Sequence, residues 1–541
     1  MKLKIGVDFD NTIACYDHVF AHGARSQKLI FDDLVFSKSD VKQNILSGAD
    51  GDINWQKLQG QIYGKFMHKA SVFPGFAEFL SLAKLRGHQV YIVSHKTEFG
   101  HFDEERISLP DEARKWLIAN EFVGKKSSMI ADEDVFFEPT RELKIERIKA
   151  LGCTHFIDDL EEVLNEATFP DHVKKYLFTS GHNNEQRSLP YSTGSWRSIT
   201  RQILSDWTIN DICHAVKDIF PELQVEDVEL VKGRGNSRIY KLCTNGNKAY
   251  ALKVYPDLQL DNRKRLETEF FTCQLLSSAG LPVVAAVAKN KRMNWAVYSW
   301  IDGVIETADE TFINKSVEFV QRLMNFSHTS GNVNIFSNAS EACLSGAEIV
   351  KQIQGRFDRL ACGDHEQLNI FLTTQFLPVF EHSVRIAKQL MQHEFDLPLN
   401  SNFLMISPSD FGAHNAILNP EGETYFIDFE YFGWDDPVKL TCDFFWHPAM
   451  NLGNELQTIW MQKIKVIFAQ DVGFVNRLGA YLPLYGLRWC LILLNEFLPD
   501  KIAHRIHANH NKENTIVHAQ DGQLNKSKNI LKKIKTIINH G

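Results

Sequence analysis

Two acidic pairs stand where acids are out of place. In KIGVDFDNT (4–12), Asp8 and Asp10 close an apolar run; in THFIDDLEE (154–162), Asp158 and Asp159 close another. Strand alternation sends the intervening Phe9 to the opposite face, so Asp8 and Asp10 point the same way. One carboxylate of the first pair can attack a phosphorus atom, while the other protonates the leaving oxygen and later activates water. The two charges repel each other and an incoming phosphate. A divalent cation removes both repulsions, and hard Mg²⁺ prefers oxygen ligands. Asp158 and Asp159 supply the missing ligands. A small hydroxyl and a cation would complete such a site by holding the phosphoryl oxygens. Ser94, ending QVYIVS, offers the hydroxyl, and Lys144 in RELKIERIKALG offers the cation, with Lys149 as its competitor.

A second set of chemically suited residues lies far down the chain. LVKGRGNSRIYKLCTNGNKAYALKV (230–254) carries Gly233 and Gly235, which allow backbone close to phosphates, and Lys253, which can pair with them. Such a lysine needs an acid to hold it; Glu269 on the following helix is the choice, with Glu267 as the alternative. In ISPSDFGAHNAILNPEGETYFIDFE (406–430), Asp410 and Asn415 are five apart, and Asp428 follows a strand-like TYFI.

The elements that must position the first set read as alternating strands and helices. KIGVDF, QVYIVS and THFID are strands, and EFLSLAKLRG, EARKWLIANEF and KIERIKALG are helices, which predicts a parallel sheet covered by helices. In an open α/β sheet, ligands bind at the carboxyl ends of the strands. Residues 14–75 interrupt the alternation and read as a helical cap. A polar loop follows at 180–195, SWRSITRQIL reads as the last helix of this domain, and 207–224 is assigned as a linker. From 225 onward, strands around the glycine-bearing turn give way to long helices, an α+β pattern. The tail NKSKNILKKIKTIINHG reads as a short basic amphipathic helix, solvated or docked. HRIHANH spaces His504, His507 and His510 three apart, a surface cluster with no cysteine or carboxylate to complete a metal site.

DFDNT, IVS, Lys144 and IDD occur in the order of the four motifs of the haloacid dehalogenase superfamily, mostly phosphatases, and residues 1–206 resemble it. The resemblance implies a Rossmann-like domain with a helical cap, Asp8 as the nucleophile forming an aspartyl-phosphate, and Asp10 as the general acid/base. It implies Mg²⁺ bound by Asp8, the Asp10 carbonyl and one of Asp158 or Asp159. The layout is also similar to the 5′-deoxynucleotidase branch. Residues 225–541 resemble the aminoglycoside phosphotransferase and choline kinase family, with a two-lobed protein-kinase-like fold. DFEYFGWDDP and Asp443 share in that resemblance. There Asp410 accepts the proton of an attacking hydroxyl, while Asn415 and Asp428 hold Mg²⁺ on ATP or GTP. One departure stands out: Pro408 occupies the place where the family usually has a histidine, and proline offers neither a side-chain donor nor an N–H.

Composition bounds the rest. The chain has 541 residues, 44% apolar and 23% charged, enough for two to four domains. A formal net charge of −8 argues against a broad nucleic-acid surface. Nine cysteines without a CxxC pair fit a reducing cytoplasm. MKLKIG is no signal peptide, and the apolar stretch 478–499 contains Arg488, Glu496 and two prolines, so it reads as a buried helix rather than a membrane span. The expectation is a bifunctional cytoplasmic enzyme, phosphatase and kinase. Its partners are a phosphorylated small molecule and a hydroxylated acceptor. The domain pairing points to a sugar, polyol or amino-alcohol bound for an activated nucleotide conjugate or surface polysaccharide. Two alternatives are a phosphatase regulated by an idle, nucleotide-binding kinase-like domain, and a scaffold with both sites silent.

Overall fold

The computed structural model describes residues 2–30, 37–124, 129–179, 189, 191–231, 237–246, 248–256, 263–329, 335–363, 365–498 and 513–540. The chain divides into two compact units: Met1–Asn262 with Ala288–Trp295, and Arg263–Val287 with Ala296–Gly541.

The first unit is built on a six-stranded parallel sheet. From edge to edge its strands are Val135–Glu138, Gln89–His95, Lys4–Val7, His155–Asp158, Lys174–Phe178 and Ser192–Thr193. Counted along the chain, these are strands three, two, one, four, five and six. The order reverses between Lys4–Val7 and His155–Asp158. At such a reversal the flanking connections leave on opposite faces and open a crevice at the carboxyl ends of the strands. The Phe156 ring of the neighbouring central strand packs against Gly6, where an added Cβ would lie 2.4 Å from Phe156 Cδ2. The helix Arg141–Leu151, which precedes His155–Asp158, is fixed at both ends. The Thr140 side chain accepts from the Leu143 N–H, and Gly152 turns the chain out with φ +64°.

The insertion read as a cap starts and ends on a short antiparallel stem, with Ala14 opposite Val72 and Cys15 opposite Ser71. Between the stem strands lie the helices Asp17–Ser26, Lys38–Leu46 and Gly51–Tyr63. They pack through an aromatic seam in which Phe20 stacks on Trp55, with Tyr63 edge-on to Phe20 and Tyr16.

Residues 207–224 are not a linker. They contain the helix Ile209–Ile219, opened by a reciprocal capping box between Thr208 and Asp211. Asp211 also pairs with Arg86 at 2.6 Å, and Ile212, Ala215 and Val216 are buried. The antiparallel strands Val225–Val231, Arg238–Thr244 and Ala249–Val254 follow, still within the first unit.

The second unit is mainly helical. Its hairpin Ala416–Leu418 and Thr424–Phe426 pairs with Val304–Ile305, and Met405–Ser407 pairs with Gly433–Asp435. The apolar stretch forms the helix Phe474–Leu493, in which Arg488 is buried but paired with Asp443 and Glu341. Among the described residues, no helix is long and apolar enough to cross a membrane. The tail helix is longer than its basic segment suggests, running Glu513–His540, and it is docked: Leu524, Leu531 and Ile534 are buried. Gly486 leaves room for Ile534, whose nearest atoms would lie 2.9 Å from an added Cβ.

Candidate active sites

Asp8 and Asp158 leave adjacent strands at the crevice, and both are buried. Lys144 comes from the first turn of its capped helix and places Nζ 2.5 Å from Asp8 Oδ1 and 2.7 Å from Asp158 Oδ2. Its competitor Lys149 is exposed on the same helix. Asp159 accepts a hydrogen bond from Asn11 Nδ2 at 3.1 Å. Oxygen atoms of Asp8, Asp158 and Asp159 all lie within 4.8 Å of one another. Ser94 is buried at the end of its strand and lines the same cavity of about 430 Å³ as Asp8, Asp10, Lys144 and Asp159.

Asp10 lines the same cavity but is held by other partners. Lys96 Nζ lies 2.8 and 3.1 Å from its two carboxylate oxygens, and the Tyr16 hydroxyl donates to Oδ1. The turn between them is tight. Asn11 adopts φ 54°, its N–H bonds to the Ala14 carbonyl, and the Trp196 indole donates to the Thr12 carbonyl at 2.9 Å.

The electrostatics follow from crowding. Burial raises the Asp8 carboxyl to about 7; Lys144 opposes that rise, and the charges of Asp158 and Asp10 add to it. Burial and then the charges of Asp8 and Asp158 push Asp159 well above the usual carboxylate range, with Lys38 and Lys144 opposing. Burial works against the Lys144 charge, but Asp158 and Asp8 outweigh it and raise its pKa. Three carboxylates around one lysine form an oxygen-only donor set with surplus negative charge. That set fits a hard divalent cation such as Mg²⁺, with Asp8, Asp158 and Asp159 as the side chains that would hold it.

In the second unit the hairpin sets the geometry. Its strands bring Asn415 beside the segment that leads to Asp428, and the Ile427 N–H donates to the Asn415 carbonyl at 3.0 Å. Asn415 Nδ2 donates to the Asp410 carbonyl at 3.0 Å. Asp428 sits at φ 68° and Ser409 at φ 63°, both left-handed and both costly for residues bearing a Cβ. Oxygen atoms of Asp428, Glu269 and Glu430 lie within 4.8 Å of one another, a second oxygen-only set, and Arg265 pairs with Glu430.

The brace that Pro408 cannot provide comes from two histidines. His414 Nε2 lies 2.9 Å and His447 Nε2 3.4 Å from Asp410 Oδ1, and the two rings stack at 4.1 Å with 7° between their planes. Pro408 still contributes its carbonyl, which accepts from the Asp410 N–H at 2.8 Å. Burial would raise the Asp410 carboxyl, but the two imidazole hydrogen bonds win and hold it well below the usual range.

Lys253 is buried on its strand in the first unit, and Glu269 is buried on the helix Arg265–Ser278 of the second. Gly233, Gly235 and the histidines 504, 507 and 510 lie outside the described residues. Asp443 is engaged structurally, by Arg488, Lys439 and the Trp489 indole. Lys96, Tyr16 and His447 carry no spacing signature in the sequence. His414 adjoins Asn415 in the motif, and only the fold shows that it reaches back to Asp410.

No family model matches the chain, and no curated protein matches it. Among solved structures, a choline kinase from Streptococcus pneumoniae aligns with 60% of this chain and 98% of its own, at 15% identity and TM-score 0.40. A spectinomycin phosphotransferase, solved with ADP and spectinomycin, aligns over 61% and 98%, at 11% identity and TM-score 0.42. A choline kinase from Cryptosporidium parvum aligns over 62% and 97%, at 11% identity and TM-score 0.43. At these identities and TM-scores, no functional inference follows from the similarity.

Proposed function

We propose that the chain is a bifunctional phosphoryl-transfer enzyme. Residues 1–206 are read as a Mg²⁺-dependent phosphatase of the haloacid dehalogenase type. Residues 225–541 are read as an ATP- or GTP-dependent small-molecule kinase of the aminoglycoside phosphotransferase and choline kinase type. The observation that carries the first reading is Lys144 bridging Asp8 and Asp158 at the strand-order reversal, with Asp10 two residues on and separately held. Bound Mg²⁺ supplies charge neutralisation between the carboxylates and the phosphoryl oxygens. An Asp8 oxygen attacks phosphorus, the bond to the ester oxygen breaks, and Asp10 gives that oxygen its proton. Asp10 then takes a proton from water, whose oxygen attacks the same phosphorus and frees Asp8 and inorganic phosphate. Lys144 opposes the burial that favours the neutral form of Asp8, and Ser94 donates to a phosphoryl oxygen.

In the kinase reading, Asp410 accepts the proton of a substrate hydroxyl. The hydroxyl oxygen attacks the terminal phosphorus of the nucleotide, the bond to the bridging oxygen breaks, and the nucleoside diphosphate leaves. Asn415 and Asp428 are the groups that would hold Mg²⁺, and Lys253 with the Gly233–Gly235 loop is assigned to the nucleotide phosphates. A sugar, polyol or amino-alcohol is the proposed acceptor class. The test is release of p-nitrophenolate from p-nitrophenyl phosphate with Mg²⁺, alongside a screen of hydroxylated acceptors with labelled ATP. Release that persists in Asp8→Asn contradicts the phosphatase reading. Acceptor phosphorylation that persists in Asp410→Asn contradicts the kinase reading.

A further inference from the structure

A second cavity in the first unit lies apart from the carboxylate cluster. It encloses about 230 Å³, and the charged groups lining it are Arg197, Arg238, Lys291, Arg292 and Glu78. Four cations face one carboxylate. Arg292 is answered by the Glu121 carboxylate at 2.9 Å, and Glu78 accepts from the Trp295 indole at 3.2 Å. Arg197 and Arg238 are not answered: among the described residues, neither has a carboxylate in ion-pair range, and Arg197 Nε is buried without a hydrogen-bond partner. Burial, then the charges of Arg238 and Arg201, lower the Arg197 pKa, with the charges of Glu78 and Asp206 opposing. A half-buried guanidinium without an ion pair, beside a second one, is costly, and an anion placed between them relieves that cost.

Two further features favour a specific occupant. The N-terminal turn of the helix Phe76–Leu85, from Gly75 to Glu78, lines the cavity; no side chain caps that helix, so its positive end adds to the field. The remaining wall is apolar and partly aromatic, with Phe73, Phe122 and Tyr255. We propose that this cavity binds a small oxyanion with an apolar body, a phosphate or carboxylate carried on one ring or a short chain, with Arg197 and Arg238 as its ligands. This inference stands independently of either proposed activity. An occupant would touch two functional elements at once. Phe73 follows the cap stem directly, its N–H donating to the Ile13 carbonyl at 2.9 Å, and the Tyr255 ring lies 5.0 Å from Lys253 Nζ in a cation–π contact.

The test uses the full chain, with phenylphosphonate as probe in calorimetry and sulfate against chloride at matched ionic strength in thermal melts. Wild type binds phenylphosphonate, Asp8→Asn binds it equally well, and Arg197→Gln with Arg238→Gln weakens it at least about tenfold. Arg238→Met alone raises the melting temperature in chloride, because it removes the repulsion, and it abolishes the extra stabilisation by sulfate. Binding that disappears in Asp8→Asn but survives the arginine substitutions overturns the proposal. So does a wild type that shows neither probe binding nor a sulfate effect, or an Arg238→Met melt that is lowered in chloride.

Discussion

Asp8 and Asp410 each follow a short strand, the first buried and the second about a third exposed, and their surroundings move their carboxyl groups in opposite directions. Burial is the largest influence on both, and it favours the neutral acid. Around Asp8, the further carboxylates Asp158 and Asp10 add to burial, and one lysine opposes them, so the group rises to about 7. Around Asp410, two imidazoles donate to the charged form and override burial. The first arrangement is a crowd of negative charge that calls for a cation. The second is a single carboxylate already satisfied by two imidazole donors. In the proposed roles, a nucleophile that forms a covalent bond and a base that accepts a hydroxyl proton would call for different environments, and the two sites differ.

The widest separation between the two comes from exchanging the substitutions. Asp8→Asn is expected to lower phosphate release at least about a thousandfold and to leave ATP-dependent transfer intact. Asp410→Asn is expected to do the reverse, lowering transfer by about 10²–10⁴. Steady-state kinetics of both reactions on both variants checks this, and a variant that loses both reactions breaks the separation. Lys144→Met strips the first site of the cation shared by Asp8 and Asp158. Breaking a buried pair this way costs roughly 3–5 kcal/mol, read as a lower midpoint in urea at neutral pH; added Mg²⁺ recovers part of it.

Lys96→Met is a smaller change. It removes the ammonium that holds Asp10, and kcat for phosphate release is expected to fall about tenfold while KM stays close to wild type. A fall confined to KM assigns Lys96 to substrate binding instead. The smallest effect is expected in acid. The Asp410 carboxyl lies below its ordinary range in the folded chain, so it contributes stability above that range and loses it as the pH falls further. Below about pH 4, the wild type therefore loses stability more steeply than Asp410→Asn, as acid titrations of the melting temperature would show.

The parts of each site carried by short, rigid elements were legible from residue order. Asp8, Asp158 and Ser94 end strands, and strand alternation fixes the side each one faces. Lys144 was separable from Lys149 only once Thr140 and Gly152 had fixed the ends of the helix, since those caps decide which lysine faces the sheet. The helix Ile209–Ile219 was written in TINDICHAV as a capping box ahead of an apolar stripe, and the linker assignment overlooked it. Lys96, Tyr16 and His447 reach their carboxylates through tertiary packing, which leaves no mark in local sequence. The bracing histidine was displaced along the chain: His414 lies after Asp410 rather than before it, and a stacked partner comes from the end of the helix Pro437–Trp446.

The central claim is that Asp8 carries the phosphoryl group during turnover, and acid-quenched peptide mass spectrometry with p-nitrophenyl phosphate and Mg²⁺ tests it most directly. The account predicts one hydroxylamine-labile phosphoryl group on the peptide containing Asp8, more abundant in Asp10→Asn because water attack is slowed. A phosphoryl group on any other peptide, one that survives in Asp8→Asn, or release of phosphate with no adduct in either protein would contradict it.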